Sequence, residues 1–470
     1  MMPNERGGRG GVVRGLAVGV VGIVLVVFAA TTWGPFAASS STVGPSGSGA
    51  ALVSPGSAAP GGSAAPGSGS PSGAPSVDPS SPSSADPSGS PAPPSPQPSA
   101  SPSPAAIDAK LQRTLDALRK KLQVPGVSAA ILWDDGRSWA GASGLRDVAA
   151  KDPMTTGTAF AYASISKTFT AAVVLQLVDE GVLQLDQPVA PLLPAYKINR
   201  HVTVRMLLDH TSGLPDFFNG KGIDRALQKL PDATWTASQA WAFVPKPYAP
   251  PGKYWMYSNT NYLLLGELVT AVTGEPLDVE VRQRLLDPLG LTTVYYQAVE
   301  APKEQGTVAY RLVWTSAGTW KAIPVVGSSD VMPFRSVITA AGGAGSLAGT
   351  ALDAALWMRA WVGGGVLSPK LHAEVMADFA NVAKLHPKSP YGLGMRRTKI
   401  NGYRAYGHSG RYLGIQNVAW HVPELGVTVV VLTNQSIWDP NRFASSLLKV
   451  IAPVKPAPSP TPKPSPSPSG

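Results

Sequence analysis

Ser164-Ile165-Ser166-Lys167 sets a serine and a lysine three residues apart, ahead of a strongly apolar run from Phe169 to Val178. A serine hydroxyl is a poor nucleophile near neutral pH and needs a base within hydrogen-bond reach. On a helix, residues i and i+3 are neighbours on one face, so Ser164 in the first turn would meet the Lys167 amine from the same element. A dry pocket favours the neutral amine, which can then accept the proton. Spacing alone does not decide the matter. Ser446-Leu447-Leu448-Lys449 repeats it in an amphipathic C-terminal stretch with Phe443, Leu447, Leu448 and Ile451 apolar, and there it reads as chance. A helix cap would account for Ser164 alone, but a cap needs no lysine three residues on. A lysine snorkelling off a helix surface is a poor fit beside Phe169 and the run Ala171 to Leu175. Ser166 is a poor nucleophile on the same logic, because Phe169 stands three residues after it.

Two short motifs follow in order, Tyr257-Ser258-Asn259 and His408-Ser409-Gly410. Longer stretches accompany them: Leu207-Leu208-Asp209-His210-Thr211-Ser212-Gly213-Leu214, Pro251-Gly252 ahead of the tyrosine, and Ala341-Gly342-Gly343. Together they resemble the serine β-lactamase and penicillin-binding family, in its class C and D-alanyl-D-alanine carboxypeptidase branch, over roughly residues 107 to 452. The resemblance implies an α+β, β-lactamase/transpeptidase-like fold: an antiparallel sheet flanked by helices, plus a helical lobe, with the site between them.

On that resemblance Ser164 is the nucleophile of an acyl-enzyme and Lys167 its general base or proton shuttle. Tyr257 is a second acid/base, whose pKa a nearby lysine would lower. Asn259 would point its amide toward a substrate backbone and Lys167. His408-Ser409-Gly410 corresponds to the family's lysine-threonine-glycine strand motif, with Gly410 letting substrate lie close against the strand. Histidine at its first position is a weaker anchor for a substrate carboxylate than lysine, which argues against an efficient β-lactamase. Arg411 would supply the missing charge, and its backbone N–H with that of Ser164 would form the oxyanion hole. His210 is read as structural.

The implied reaction is hydrolysis of an acyl-D-Ala-D-Ala-type peptide, a small amide or an ester, with peptidoglycan as a natural source. The alternatives are a small-ester esterase of the same fold and a non-catalytic peptidoglycan-binding envelope protein. An intact set of Ser164, Lys167, Tyr257, Asn259 and His408 is more than a pure binder needs. No cofactor and no metal are expected: the six histidines are dispersed, and no metal-ligand helix motif or phosphate loop occurs. Gly343 to Ala348 imitates a dinucleotide fingerprint but lacks the acid that would hold the ribose, so it reads as a loop feeding a helix. Oligomeric state is not legible.

Composition divides the 470 residues. Residues 39 to 106 are almost wholly Pro, Ser, Ala and Gly and cannot bury enough apolar surface to offset their ordering entropy, so they read as a disordered linker. Residues 453 to 470 read as a similar tail. Residues 107 to 452 remain as one hydrolase domain. Arg6, Arg9 and Arg14 precede the uncharged run Gly15 to Ala38, so residues 1 to 38 read as a membrane anchor or signal segment. The length of that run favours an uncleaved single-pass anchor with the catalytic domain outside; secretion after cleavage near Phe36-Ala37-Ala38 is the alternative. The chain carries a formal charge of +10 and no cysteine, which excludes disulfides and a thiol nucleophile. Its basic residues are scattered rather than clustered, which argues against nucleic-acid binding.

Periodicity supplies the elements. Ile107, Leu111, Leu115, Leu118 and Leu122 mark an opening helix that Pro125-Gly126 ends. Val127 to Trp133 and Ser138 to Ala142 flank an Asp-Gly turn. Tyr403 to His408, Gln416 to His421 and Val427 to Thr433 read as strands, followed by a helix from Asn441 to Val450.

Overall fold

The computed structural model describes residues 103–325, 332–385 and 390–452. Helix α1 (Pro104–Leu122) begins three residues inside the expected linker. The Ser103 hydroxyl accepts the Ala106 N–H at 3.3 Å, and Pro104 fills the first helical position, where its missing N–H costs nothing. Composition hides this start, because Ser-Pro-Ala-Ala looks like more linker.

The strands in chain order are β1 (Gly126–Trp133), β2 (Ser138–Asp147), β3 (Asp152–Pro153), β4 (Phe160–Ala161), β5 (Tyr295–Tyr296), β6 (Ala309–Trp314), β7 (Trp320–Val325), β8 (Leu347–Gly349), β9 (Arg396–Ile400), β10 (Tyr403–Tyr412), β11 (Ile415–Val422) and β12 (Val427–Thr433). Seven form one antiparallel sheet in the order β3-β2-β1-β12-β11-β10-β9. The strands from the two ends of the chain meet at its centre, where Val127 pairs with Thr433 and Trp133 with Val427.

β1 and β12 are buried on both faces, and their period of two sorts side chains between two cores. Val127, Ala129, Ile131, Val429 and Val431 pack with Leu111 and Leu115 of α1 and with Phe443 and Leu447 of the last helix, Asn441–Ile451. Ala130, Leu132, Val430 and Leu432 face the opposite way, into a larger core. That core includes α2 (Ser166–Asp179) and the helix Ala351–Val362. Phe169 and Trp357 stack there at 4.0 Å between ring centroids. Burying each such side chain contributes on the order of 1.5–3 kcal/mol. α2 is apolar on all sides because it is surrounded, not because it spans a membrane.

The helical portion adds α3 (Asn259–Thr273), which packs against α2. The hairpin β6–β7 lies in a region where the sequence shows no readable pattern. The stretch Gly343–Ala348, expected as a loop feeding a helix, does lead into the helix Ala351–Val362, through a tight turn, Gly342–Ala344, and then β8, which pairs with both β4 and β5. A Cβ on Gly343 would meet the Tyr262 carbonyl at 2.7 Å, so this glycine serves the approach of α3.

β10 continues four residues beyond the expected His408, to Tyr412. β9 pairs only with Tyr403–Gly407, so among the described residues no strand covers the outer edge of β10 from His408 onward. The turn Ala163–Ile165 lies against that part of the strand.

The expected single-pass membrane location is corrected here. No helix among the described residues is long and apolar enough to cross a membrane. The run Gly15 to Ala38, on which that expectation rested, lies outside the described residues, as do most of the linker and the tail.

Candidate active site

Ser164 sits in the single helical turn Ala163–Ile165 that leads directly into α2. Ala163 takes φ = 52°, a left-handed conformation unusual for a residue with a side chain. The strand β10 holds this turn from outside: a Cβ on Gly410 would meet the Tyr162 carbonyl oxygen at 2.1 Å. The expectation that Gly410 makes room for substrate is thus corrected, because the space beside it is filled by the backbone that carries Ser164. Ser166 is buried, and its Oγ accepts the Leu347 N–H at 3.1 Å.

Lys167 is fully buried, at 0 % exposure. Its Nζ lies 3.2 Å from Ser164 Oγ and donates to Asn259 Oδ1 and to the Ala344 carbonyl, both at 2.7 Å. A neutral amine has two N–H bonds and one lone pair. In the neutral form the two carbonyl oxygens would account for both N–H bonds and leave the lone pair for the Ser164 hydroxyl; an ammonium would donate to all three oxygens. Burial drives the amine well below the usual lysine value; Asp216 opposes that shift and Arg396 adds to it.

Asn259 opens α3 and is 3 % exposed. Its Oδ1 faces Lys167 and its Nδ2 donates to Asp216 Oδ2 at 2.6 Å. Asn259 was expected to face both Lys167 and a substrate backbone: its oxygen does face Lys167, and its nitrogen is taken by Asp216, so this side chain links two buried groups.

Tyr257 brings its phenol into the neighbourhood of Ser164. Lys167 Nζ stands 5.1 Å from its ring centroid and the Arg396 guanidinium 5.2 Å. Burial, reinforced by Tyr391, raises this phenol well above 10, outweighing the lowering by Arg396 and Ser164. The expected lowering is therefore reversed, and the group is held as a neutral O–H donor. Its ring packs on His210 at 4.4 Å between centroids. His210 is buried, with Nδ1 accepting the Ser258 N–H at 3.2 Å, in keeping with a structural role.

His408 is fully buried, with Nδ1 2.6 Å from the Ser409 carbonyl and Nε2 3.0 Å from the Tyr391 hydroxyl. A carbonyl only accepts, so Nδ1 carries the hydrogen and Nε2 accepts from Tyr391. Burial, Arg396 and Lys167 keep the ring neutral, well below its usual titration. The expectation that His408 contacts substrate, even as a weak anion anchor, is corrected: both nitrogens are engaged with protein. Ser409 and Arg411 point to the other side of β10, where Ser409 is half-buried and Arg411 exposed.

Asp216, Tyr391, Arg396 and the Ala344 carbonyl complete the cluster, and the sequence reading named none of them. Asp216 lies two residues past the quoted stretch that ends at Leu214, so extending that stretch would have reached it. Tyr391 and Arg396 arrive with the sheet edge and have no local signal. Among the described residues no group of three or more potential metal ligands occurs.

The Beta-lactamase family model matches residues 111–451. The chain belongs to the serine β-lactamase and penicillin-binding protein family. This β-lactamase-family chain is similar to penicillin-binding protein 4 of Amycolatopsis lactamdurans, with 31 % identity over 347 residues, covering 70 % of this chain and 86 % of the relative. It is similar to a D-aminopeptidase of Cereibacter sphaeroides, with 27 % identity over 341 residues, covering 72 % of this chain and 62 % of the relative. Among solved structures it resembles the D-amino acid amidase of Ochrobactrum anthropi SV3, with a TM-score of 0.62 and 25 % identity, covering 73 % of this chain and 98 % of that one. The β-lactamase-family fold and its homologues make this chain a serine hydrolase.

Proposed function

We propose that the chain cleaves small peptides and amides through an ester intermediate on Ser164, with a D-configured residue on the acyl side of the scissile bond. The observation that carries this reading is the setting of Lys167, whose two carbonyl acceptors leave its lone pair for Ser164. Lys167 takes the Oγ proton as Oγ attacks the carbonyl carbon. The developing oxyanion is received by the N–H groups of Ser164 and Arg411. Tyr257, a neutral phenol, gives its proton to the leaving nitrogen, and the proton held by Lys167 replaces it. Water then hydrolyses the ester by the reverse route. The preference for a D-residue is supported by the likeness to a D-aminopeptidase and a D-amino acid amidase. Acyl-D-Ala-D-Ala peptides, which peptidoglycan supplies, meet the same requirement. A neutral, buried His408 in place of the family's usual lysine favours peptidase over β-lactamase chemistry.

The test is intact mass spectrometry of the full chain with benzylpenicillin over time, alongside hydrolysis of D-alanine p-nitroanilide and p-nitrophenyl acetate. A lasting adduct on Ser164 and turnover of the anilide are expected. Ser164→Ala should remove the adduct and lower turnover on the order of 10⁴-fold or more. Unchanged turnover in that variant would reject the nucleophile. Ester turnover without anilide turnover would favour an esterase.

A further inference from the structure

The structure points to a third buried member of the catalytic arrangement, one step behind the amine. Asp216 lies in the segment between the His210 turn and Phe217–Asn219, and it is buried. Its Oδ1 accepts the Phe218 N–H at 3.0 Å and its Oδ2 accepts Asn259 Nδ2–H at 2.6 Å. Both partners are donors. A protonated carboxyl would present its own O–H to a set of N–H groups, so the environment selects the anion although burial opposes it.

We propose that Asp216 is a positioning residue for the catalytic amine, acting through Asn259: its carboxylate fixes the amide so that Oδ1 faces Lys167 and the amine's lone pair faces Ser164. The inference rests on the reading that Lys167 is the base for Ser164. A side-chain amide can be turned end for end at little steric cost, since its oxygen and nitrogen are nearly the same size. Turned that way here, Nδ2 would meet the lysine, donor against donor, and the lone pair would be drawn to Asn259 instead of Ser164. A carboxylate has no hydrogen to give, so it holds Nδ2 and forbids the turn. The 2.6 Å and 2.7 Å contacts on either side of the amide make a continuous chain from carboxylate to amine.

The anion has a second effect, on charge. The groups around Lys167 are Arg396 from β9, the rings of Tyr257 and Tyr262 at 5.1 and 5.4 Å, and the neutral His210 and His408. Arg396 disfavours an ammonium there, and Asp216 is the counterweight that lets Lys167 hold the proton it takes from Ser164.

Two variants of the full chain separate these roles, with p-nitrophenyl acetate as the probe. Asp216→Asn keeps the shape and one accepting oxygen but removes the charge. Its kcat/KM should begin to rise at a pH lower by roughly one unit, because the lysine loses its proton more easily without the anion. Asp216→Leu removes the acceptor as well, and kcat should fall roughly a hundredfold with little change in KM, as for a reacting group displaced by about an ångström. Asp216→Asn retaining most of the plateau rate would be the rescue that a purely structural role does not predict. An unmoved pH profile in Asp216→Asn overturns the proposal. So does a rate within threefold of wild type in a folded Asp216→Leu. If Asp216→Leu does not fold, the Asp216→Asn profile alone decides. Failure of the underlying reading looks different: Ser164→Ala would then retain turnover, whatever the Asp216 variants do.

Discussion

Gly410→Ala is the sharpest single perturbation the geometry offers. The added methyl carbon would lie 2.1 Å from the Tyr162 carbonyl oxygen and 3.3 Å from Ala163 Cβ. Non-bonded carbon and oxygen do not approach within about 3 Å without steep repulsion, so β10 and the Tyr162–Ala163 backbone must separate by about an ångström. Neither side yields easily. β10 is tied to β11 from Tyr406 through Tyr412, and Tyr162 is fixed by its N–H to the Leu347 carbonyl at 2.8 Å and its hydroxyl to the Thr350 carbonyl at 2.7 Å. The displacement therefore falls on the turn that carries Ser164, already bent through the left-handed Ala163.

Over-packing of this kind costs roughly 1–3 kcal/mol of stability. The catalytic cost is larger, because Lys167 is held by α2, Asn259 and the Ala344 carbonyl and does not follow Ser164 outward. An ångström of misplacement lowers the chemical step on the order of a hundredfold. The assay is kcat and KM on p-nitrophenyl acetate, with urea unfolding on the same sample. The expected result is a large fall in kcat with KM within a few-fold of wild type. A raised KM with kcat intact would refute the packing argument and return Gly410 to a role in making room for substrate.

The pH dependence follows from two opposite shifts. Lys167 must be neutral to act, and burial holds its amine well below 10.5, so kcat/KM should rise through that lowered value and be complete well before pH 10.5. Tyr257 is raised well above 10, so the phenol stays protonated over the same range and no alkaline fall is expected from it below about pH 10. A profile that climbs only near pH 10 would show a solvated lysine and sink the assignment. His408→Lys restores the family's more common residue, yet here it would bury a cation beside Lys167 and Arg396 and leave the Tyr391 hydroxyl without its acceptor. We expect a loss of roughly 3 kcal/mol or more in thermal or urea unfolding, with no gain in benzylpenicillin hydrolysis. A stable variant with new β-lactamase activity would contradict the engaged, neutral histidine.

How much of this was legible in the sequence depended on the distance over which each signal acts. The Ser164–Lys167 contact is local: three residues in one turn and helix bring it about, so spacing was enough to expect it. β1, β11 and β12 were legible because short, nearly continuous apolar runs bounded by turn residues read as buried strands, and the opening helix because its leucines recur at three and four. The extension of β10 to Tyr412 was not, since Ser409-Gly410-Arg411 has no strand-like alternation of its own and is held by Gln416, Asn417 and Val418 and by the Tyr162 turn. The second partner of Asn259, the surroundings of His408 and the pKa direction of Tyr257 were missed for a common reason. Each depends on a partner far away in sequence, namely Asp216, Tyr391 and the buried pocket around Arg396, and no local pattern announces such a partner.

Those three corrections share one physical consequence. The sequence reading spread polar side chains along the substrate path, whereas the structure turns Asn259 and His408 inward, where each is held by protein partners. Inward-facing polar groups are costly unless every one is partnered. Here Asp216 holds Asn259, Asn259 and Ala344 hold Lys167, and Tyr391 and the Ser409 carbonyl hold His408. Each link removes a rotamer or a protonation state in which the lysine would not face the serine. A buried lysine is tolerable in this fold because its hydrogen-bonding capacity is spoken for, and the one position left over is the position the chemistry requires.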